Sequence, residues 1–167
     1  MGRKYTTREM GEWKIRIGNA LMNSDEIMEL LTGKDPSTLS KKERVAEFKK
    51  YVSSHLFIND PSMGSVLEET DSRIFYDIRF LKLRPQIKDC SIILYALCHR
   101  DILETYEGDD YVGNRADVLA QMIESALLDE EIVKKFGIGD LELDNVDIYN
   151  TTTMYGHIMT FSVPNFR

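Results

Sequence analysis

The sequence predicts an α+β fold: one four-stranded, mainly antiparallel sheet with a long helix packed on it, and an N-terminal helical segment. Three observations carry this. Apolar residues recur at helical spacing over roughly the first 50 positions, then switch to a two-residue period after Arg73. The strongest helical pattern, after Asn114, lies between two pairs of alternating segments. No repeat, low-complexity tract or long linker divides the 167 residues, which is about one domain's worth of chain. The expected organisation is a helical segment over residues 1–54 and an α+β body over residues 55–167, one domain in all.

The elements follow in order. Met10, Trp13, Ile17 and Leu21 fall at helical spacing between Arg8 and Met22, against the helix-weakening Gly11 and Gly18. Ser24 is placed to cap a helix from Asp25 to Leu31, with acids in its first turn and Gly33 as its stop. Ser40 and Glu43 have capping-box spacing and open a helix to about Tyr51, with Val45 and Phe48 inward. From Arg73 to Leu81 the residues alternate as in a strand, Pro85 interrupts, and Ser91 to His99 resumes the alternation. Both faces of the second strand are apolar, so it is expected to be central and covered on both sides. The short connector makes the two an antiparallel hairpin.

Asp101 to Asp110 reads as an acidic loop. Asn114 and Asp117 cap a helix whose inward face is Val118, Leu119, Met122, Ile123 and Leu127, and a short continuation ends at Gly137. Two last strands, Leu141 to Tyr149 and Tyr155 to Val163, flank a polar tip at Asn150, Thr151, Thr152, Thr153 and Met154. Tyr155, His157, Met159, Phe161 and Val163 share one face. The apolar parity shifts from Leu141 and Leu143 to Val146 and Ile148, which places a bulge near Asp144.

Composition bounds the function. Hydrophobic residues at 43% and charged residues at 29% are ordinary for a globular chain. The longest apolar run, Ser91 to Cys98, is short of the roughly 20 residues of a membrane span. No apolar stretch follows the basic start, so no signal peptide is expected and no membrane partner. Net charge is −7, unevenly spread: residues 1–50 carry 11 Lys and Arg against 8 Asp and Glu, whereas residues 51–167 carry 10 against 20. An acidic body is a poor sequence-independent grip on nucleic acid. Cys90 and Cys98 are eight apart, about 26 Å along a strand, so an intact strand keeps them unbridged and they read as small buried hydrophobes.

Catalytic constellations are sparse. His55, His99 and His157 are scattered without metal-ligand spacing. Glu68, Glu69 and Asp71 precede a strand bearing Asp77, a position that two-metal nucleases use, but the nearest following lysine is Lys82. The acids from Asp101 to Asp110 lack EF-hand spacing, and Gly137-x-Gly139 lacks the third glycine and following helix of a phosphate cradle. No cofactor or metal is expected, and the chain reads as a non-enzyme. Its 8 tyrosines, 7 phenylalanines and 8 methionines go chiefly to filling the core, and the remainder suits a sheet edge or face covered by another subunit.

Several stretches carry a resemblance. They are His55-Leu56-Phe57 with Asp60-Pro61, the strand Ile74 to Ile78, the loop through Pro85 and Lys88-Asp89, and the strand Ile92 to His99. The helix opening Gly113-Asn114-Arg115-Ala116-Asp117 follows, then Tyr155-Gly156-His157 and the ending Val163-Pro164-Asn165-Phe166. In element order and texture, the body from about His55 resembles the small neck proteins of tailed bacteriophages, most of all the tail terminators. The resemblance implies a structural virion protein assembled in the host cytoplasm. Six copies would form a ring at the head-proximal end of the tail, ending tube polymerisation and joining tail to head. It implies as partners a tail tube protein, a head-completion or connector protein and the chain itself, with DNA only as cargo through the lumen. From exposed position, Arg84, Pro85 and Gln86, the loop acids Asp109 and Asp110, and the tip Asn150 to Met154 are the candidate partner contacts. Two other readings stay open: another neck component such as a head-closure or joining protein, and a metal-dependent nuclease using Glu69, Asp77 and His99.

Overall fold

Local signals set the N-terminal helices. The computed structural model describes residues 6–54, 68–83, 88–138 and 140–163. Helix α1 runs Thr6–Asn23, α2 Asp25–Thr32 and α3 Lys41–Tyr51. The Ser24 hydroxyl accepts the Ile27 N–H at 3.3 Å, and α2 stops at Gly33 in the left-handed conformation, φ 66°. Ser40 and Glu43 close both halves of a capping box on α3. Arg44 joins the helices end to end: it donates to the Met22 carbonyl at the end of α1 and pairs with Asp25 at 2.7 Å.

The strands are β1 (Val52–Ser53), β2 (Ser72–Leu83), β3 (Lys88–His99), β4 (Glu142–Asn150) and β5 (Met154–Val163), in spatial order β1-β2-β3-β5-β4. Helices α4 (Arg115–Leu128) and α5 (Glu130–Phe136) connect β3 to β4, with 3₁₀ turns at Pro36–Thr38 and Arg100–Ile102. The fold class is α+β, but the four-stranded, mainly antiparallel sheet is corrected. The sheet has five strands and is mixed, because Val52 and Ser53 leave α3 and pair in parallel with Ile74 and Phe75. Two residues are too few to display an alternation, so nothing local announces this strand.

The β2–β3 hairpin is antiparallel from Ser72↔Cys98 to Leu83↔Lys88, with an irregularity between Phe80 and Lys82. Strand β3 is central, as expected. Its even positions Ile92, Leu94, Ala96 and Cys98 join a core that includes Trp13, Ile17 and Leu21 of α1, Ile27 and Met28 of α2, and Phe48 of α3. Leu119, Ile123 and Leu127 of α4, Val133 of α5, and Met159 and Phe161 of β5 complete that layer. The helices therefore cover one face of the sheet, and the N-terminal segment shares the core of the body. Each fully buried large side chain here contributes about 1.5–3 kcal/mol. On the opposite face Phe75, Leu97 and Met154 are buried together, with Tyr95 and Tyr149 packed edge to face at 5.8 Å.

Two glycines mark close approaches. A Cβ on Gly18 would lie 2.6 Å from the Tyr76 hydroxyl, which donates to the Lys14 carbonyl at 2.7 Å, so a side chain there would have to displace that hydroxyl from its bond. A Cβ on Gly156 would lie 1.9 Å from the Ala96 carbonyl oxygen, so β5 can lie this close to β3 only as glycine.

Candidate functional site

The sheet has two different ends. At the β2 end, β1 covers Ile74 and Phe75. Beyond it Lys14 reaches from α1 to pair with Asp77 at 2.8 Å, and the Asp77 carboxylate accepts the Ile78 N–H at 2.8 Å. From Ile74 to Ile78 that edge is closed by a short strand, a salt bridge and a side chain bonded to the backbone.

At the other end β4 pairs, among the described residues, only with β5. The Thr151 N–H donates to the Met154 carbonyl at 2.9 Å, and counting alternation from that bond turns the backbone groups of Asn150, Ile148 and Val146 outward. The register shifts between Leu143 and Asn145, the bulge that the parity change near Asp144 predicts. Leu143 faces Phe161, Val146 faces Met159 and Ile148 faces His157, so all three keep to the helix side of the sheet. Leu141 is buried there, but the helical layer ends before the strand does: Val146 is 47% exposed and Ile148 65%. An apolar stripe thus runs from the core out into solvent along an open strand edge.

The candidate contacts fall unevenly on this frame. Arg84, Pro85 and Gln86 lie outside the described residues, as does His55. Asp109 and Asp110 are exposed. Asp110 also lines a groove of about 500 Å³ with Glu26, Glu29, Tyr106, Tyr111 and Arg115 among its walls. There the Tyr111 hydroxyl donates to Glu26; burial, then that carboxylate, pushes the phenol up to about 12. The 150–154 tip is held rather than free. Arg100 donates through its side chain to the Thr151 carbonyl at 2.8 Å and to the Asn150 side chain, and its own N–H donates to the Thr153 carbonyl at 2.9 Å. Thr152 stays exposed, whereas Met154 is fully buried with Phe75 and Leu97 and is no part of the exposed surface.

The groups that a nuclease would use are taken up separately. Glu69 pairs with Arg73 at 2.6 Å, and Asp77 pairs with Lys14. His99 is nearly buried, its Nδ1 accepting the Asp101 N–H at 3.2 Å as the cap of a 3₁₀ turn. Arg73 also holds Asp71 at 2.8 Å and the Lys50 carbonyl. Burial raises the Asp71 carboxyl more than Arg73 lowers it. Among the described residues no three His, Cys, Asp or Glu side chains group as metal ligands. Burial pushes Cys90 and Cys98 each up to about 11, which keeps both as unreactive thiols.

One pairing escapes sequence reasoning. His157 Nε2 lies 2.6 Å from Asp117 Oδ1, while the other Asp117 oxygen accepts the Asn114 N–H at 3.0 Å. One carboxylate therefore serves the α4 cap and fastens the start of α4 to β5. Asp117 is legible as a cap; its second partner lies 40 positions away and is not.

No helix among the described residues is long and apolar enough to cross a membrane. No curated protein matches the chain. The YomW family pattern matches residues 24–163, from the Ser24 cap through all of β5. That span takes in α2, the whole sheet, the bulged open edge and the Asp117–His157 tie, and the chain belongs to the YomW family, a phage-associated one.

Proposed function

We propose that this protein is a structural component of a phage neck, a tail terminator. Copies would form a ring, six by the resemblance, on the head-proximal end of the tail, stopping tube growth and presenting a surface to the head's connector. The observation that carries the reading is the β4 edge, a nine-residue strand with outward-facing backbone and exposed Val146 and Ile148. An edge of that length and character is a template for pairing, and a monomeric protein would be expected to blunt it. The phage association of the family supports the same reading.

A ring needs repeated modest contacts rather than a reactive centre. The sheet and α4 would make its wall, and the loops at either end would meet tube and head. Purified chain added to polymerising tube protein should cap the tubes at one end and halt their growth. A phage lacking the chain should make tails of uncontrolled length that do not join heads. Tails of normal length in that phage would overturn the terminator reading. Capture of the portal-side connector without the tube protein would replace it with a head-closure role.

A further inference from the structure

We infer that copies of this chain associate head to tail, the β4 end of one sheet against the α3 end of the next. The inference rests on reading the β4 edge as an assembly surface and names what occupies it. Strand β4, Glu-Leu-Asp-Asn-Val-Asp-Ile-Tyr-Asn, carries three acids and no base. Glu142, Asp144 and Asp147 are exposed, and Asp144 and Asp147 accept hydrogen bonds only from Ser162 and Asn145. Among the described residues none of the three has a cationic partner.

At the opposite end of the sheet, helix α3 has the opposite sign. Helix α3 leads directly into β1 at the far side of the sheet and carries Lys41, Lys42, Arg44, Lys49 and Lys50 against Glu43 and Glu47. Both acids are committed at home, Glu43 to its capping box and Glu47 to Lys34 and Lys50 at 3.1 and 2.8 Å. That leaves Lys41, Lys42 and Lys49 exposed and, among the described residues, without ion pairs.

These signs choose the geometry. Pairing β4 with a second β4 sets acids against acids, and pairing α3 with α3 sets lysines against lysines. Only unlike ends attract, so the contact joins two different patches and propagates around a ring instead of stopping at a two-fold dimer. The apolar groups agree. Val146 and Ile148 face the helix side of the sheet, and α3 belongs to that same layer, so the next copy's α3 arrives level with them. Half-buried Val45 and exposed Ala46 on α3 offer an apolar counterpart.

Two variants test this by sedimentation velocity. Val146→Ser/Ile148→Ser strips the apolar groups from the β4 end, and Lys41→Glu/Lys42→Glu/Lys49→Glu blocks the α3 end. Each should be monomeric, and an equal mixture should give a 1:1 dimer of twice 19.3 kDa and nothing larger, since only one good pair of ends remains. Wild-type association should weaken about tenfold or more from low to high salt. Unchanged thermal unfolding checks that both variants fold; Glu142→Gln/Asp147→Asn is the substitute if the apolar pair proves structural. An α3-blocked variant that still associates like wild type overturns the proposal, as does a wild-type chain that stays monomeric at every concentration. These readings use purified protein only. Head-to-tail pairing alongside unaltered tail length refutes the neck reading and leaves the contact standing.

Discussion

The two edges of the sheet face the same hazard and meet it differently. At the β2 end, Lys14, Asp77 and the two residues of β1 together occupy the positions from Ile74 to Ile78 that another strand would need. At the β4 end the outward backbone groups of Val146 and Ile148 stand open, and their side chains add apolar surface that the helices do not reach. A chain under pressure only to stay soluble would be expected to close both. The asymmetry shows that edge closure is within this fold's means, and it supports the proposal that the β4 end takes a partner.

Three substitutions probe the structure around these edges. The largest effect is expected from Gly156→Ala, which forces a Cβ against the Ala96 carbonyl and drives the β4–β5 hairpin from β3. Denaturant unfolding should show a loss of about 3 kcal/mol, and the open edge should vanish with the hairpin. A smaller effect comes from Lys14→Ala, which unlocks the closed edge. Its partners are partly exposed, so stability should fall by under about 1 kcal/mol. Static light scattering should nonetheless reveal new, concentration-dependent association through β2; unchanged scattering would mean that the salt bridge closes nothing. The smallest effect concerns acid. Hydrogen bonds from Ser40, first its backbone N–H and then its hydroxyl, hold the Glu43 carboxyl below its ordinary 4.5. A depressed carboxylate contributes stability above that value and loses it as pH falls through the folded-state pKa. The advantage of wild type over Glu43→Gln in thermal unfolding should therefore be present at pH 6 and shrink below about pH 4.5.

What the sequence disclosed was what its neighbours a few positions away decide. Ser24, Ser40 with Glu43, and Asn114 with Asp117 announce helix starts because a cap is satisfied within three residues. The bulge at Asp144 is legible because inward-facing apolar residues keep score of strand parity. Strand β1 is not, since its pairing with Ile74 depends on a strand some 20 positions on. Met154 adjoins the polar tip in sequence, yet its place opposite His99 on β3 carries it into the cluster with Leu97 and Phe75. The open edge was least visible of all. Val146 and Ile148 have the pattern of buried strand residues, and only the order of the strands shows that the helical layer stops short of them.

The bulge also bears on how this surface tolerates change by descent. Leu143 pairs with Phe161, Asn145 with Thr160 and Val146 with Met159, so Asp144 is the one residue of this stretch without a place in the ladder. Losing its codon would restore plain alternation and leave Val146 and Ile148 on the face of Leu141 and Leu143, while Asp147 stays on the other. The apolar stripe therefore survives a change of one residue in chain length, so relatives with and without the bulge could keep the same adhesive face and differ in the bend and twist of the edge that bears it.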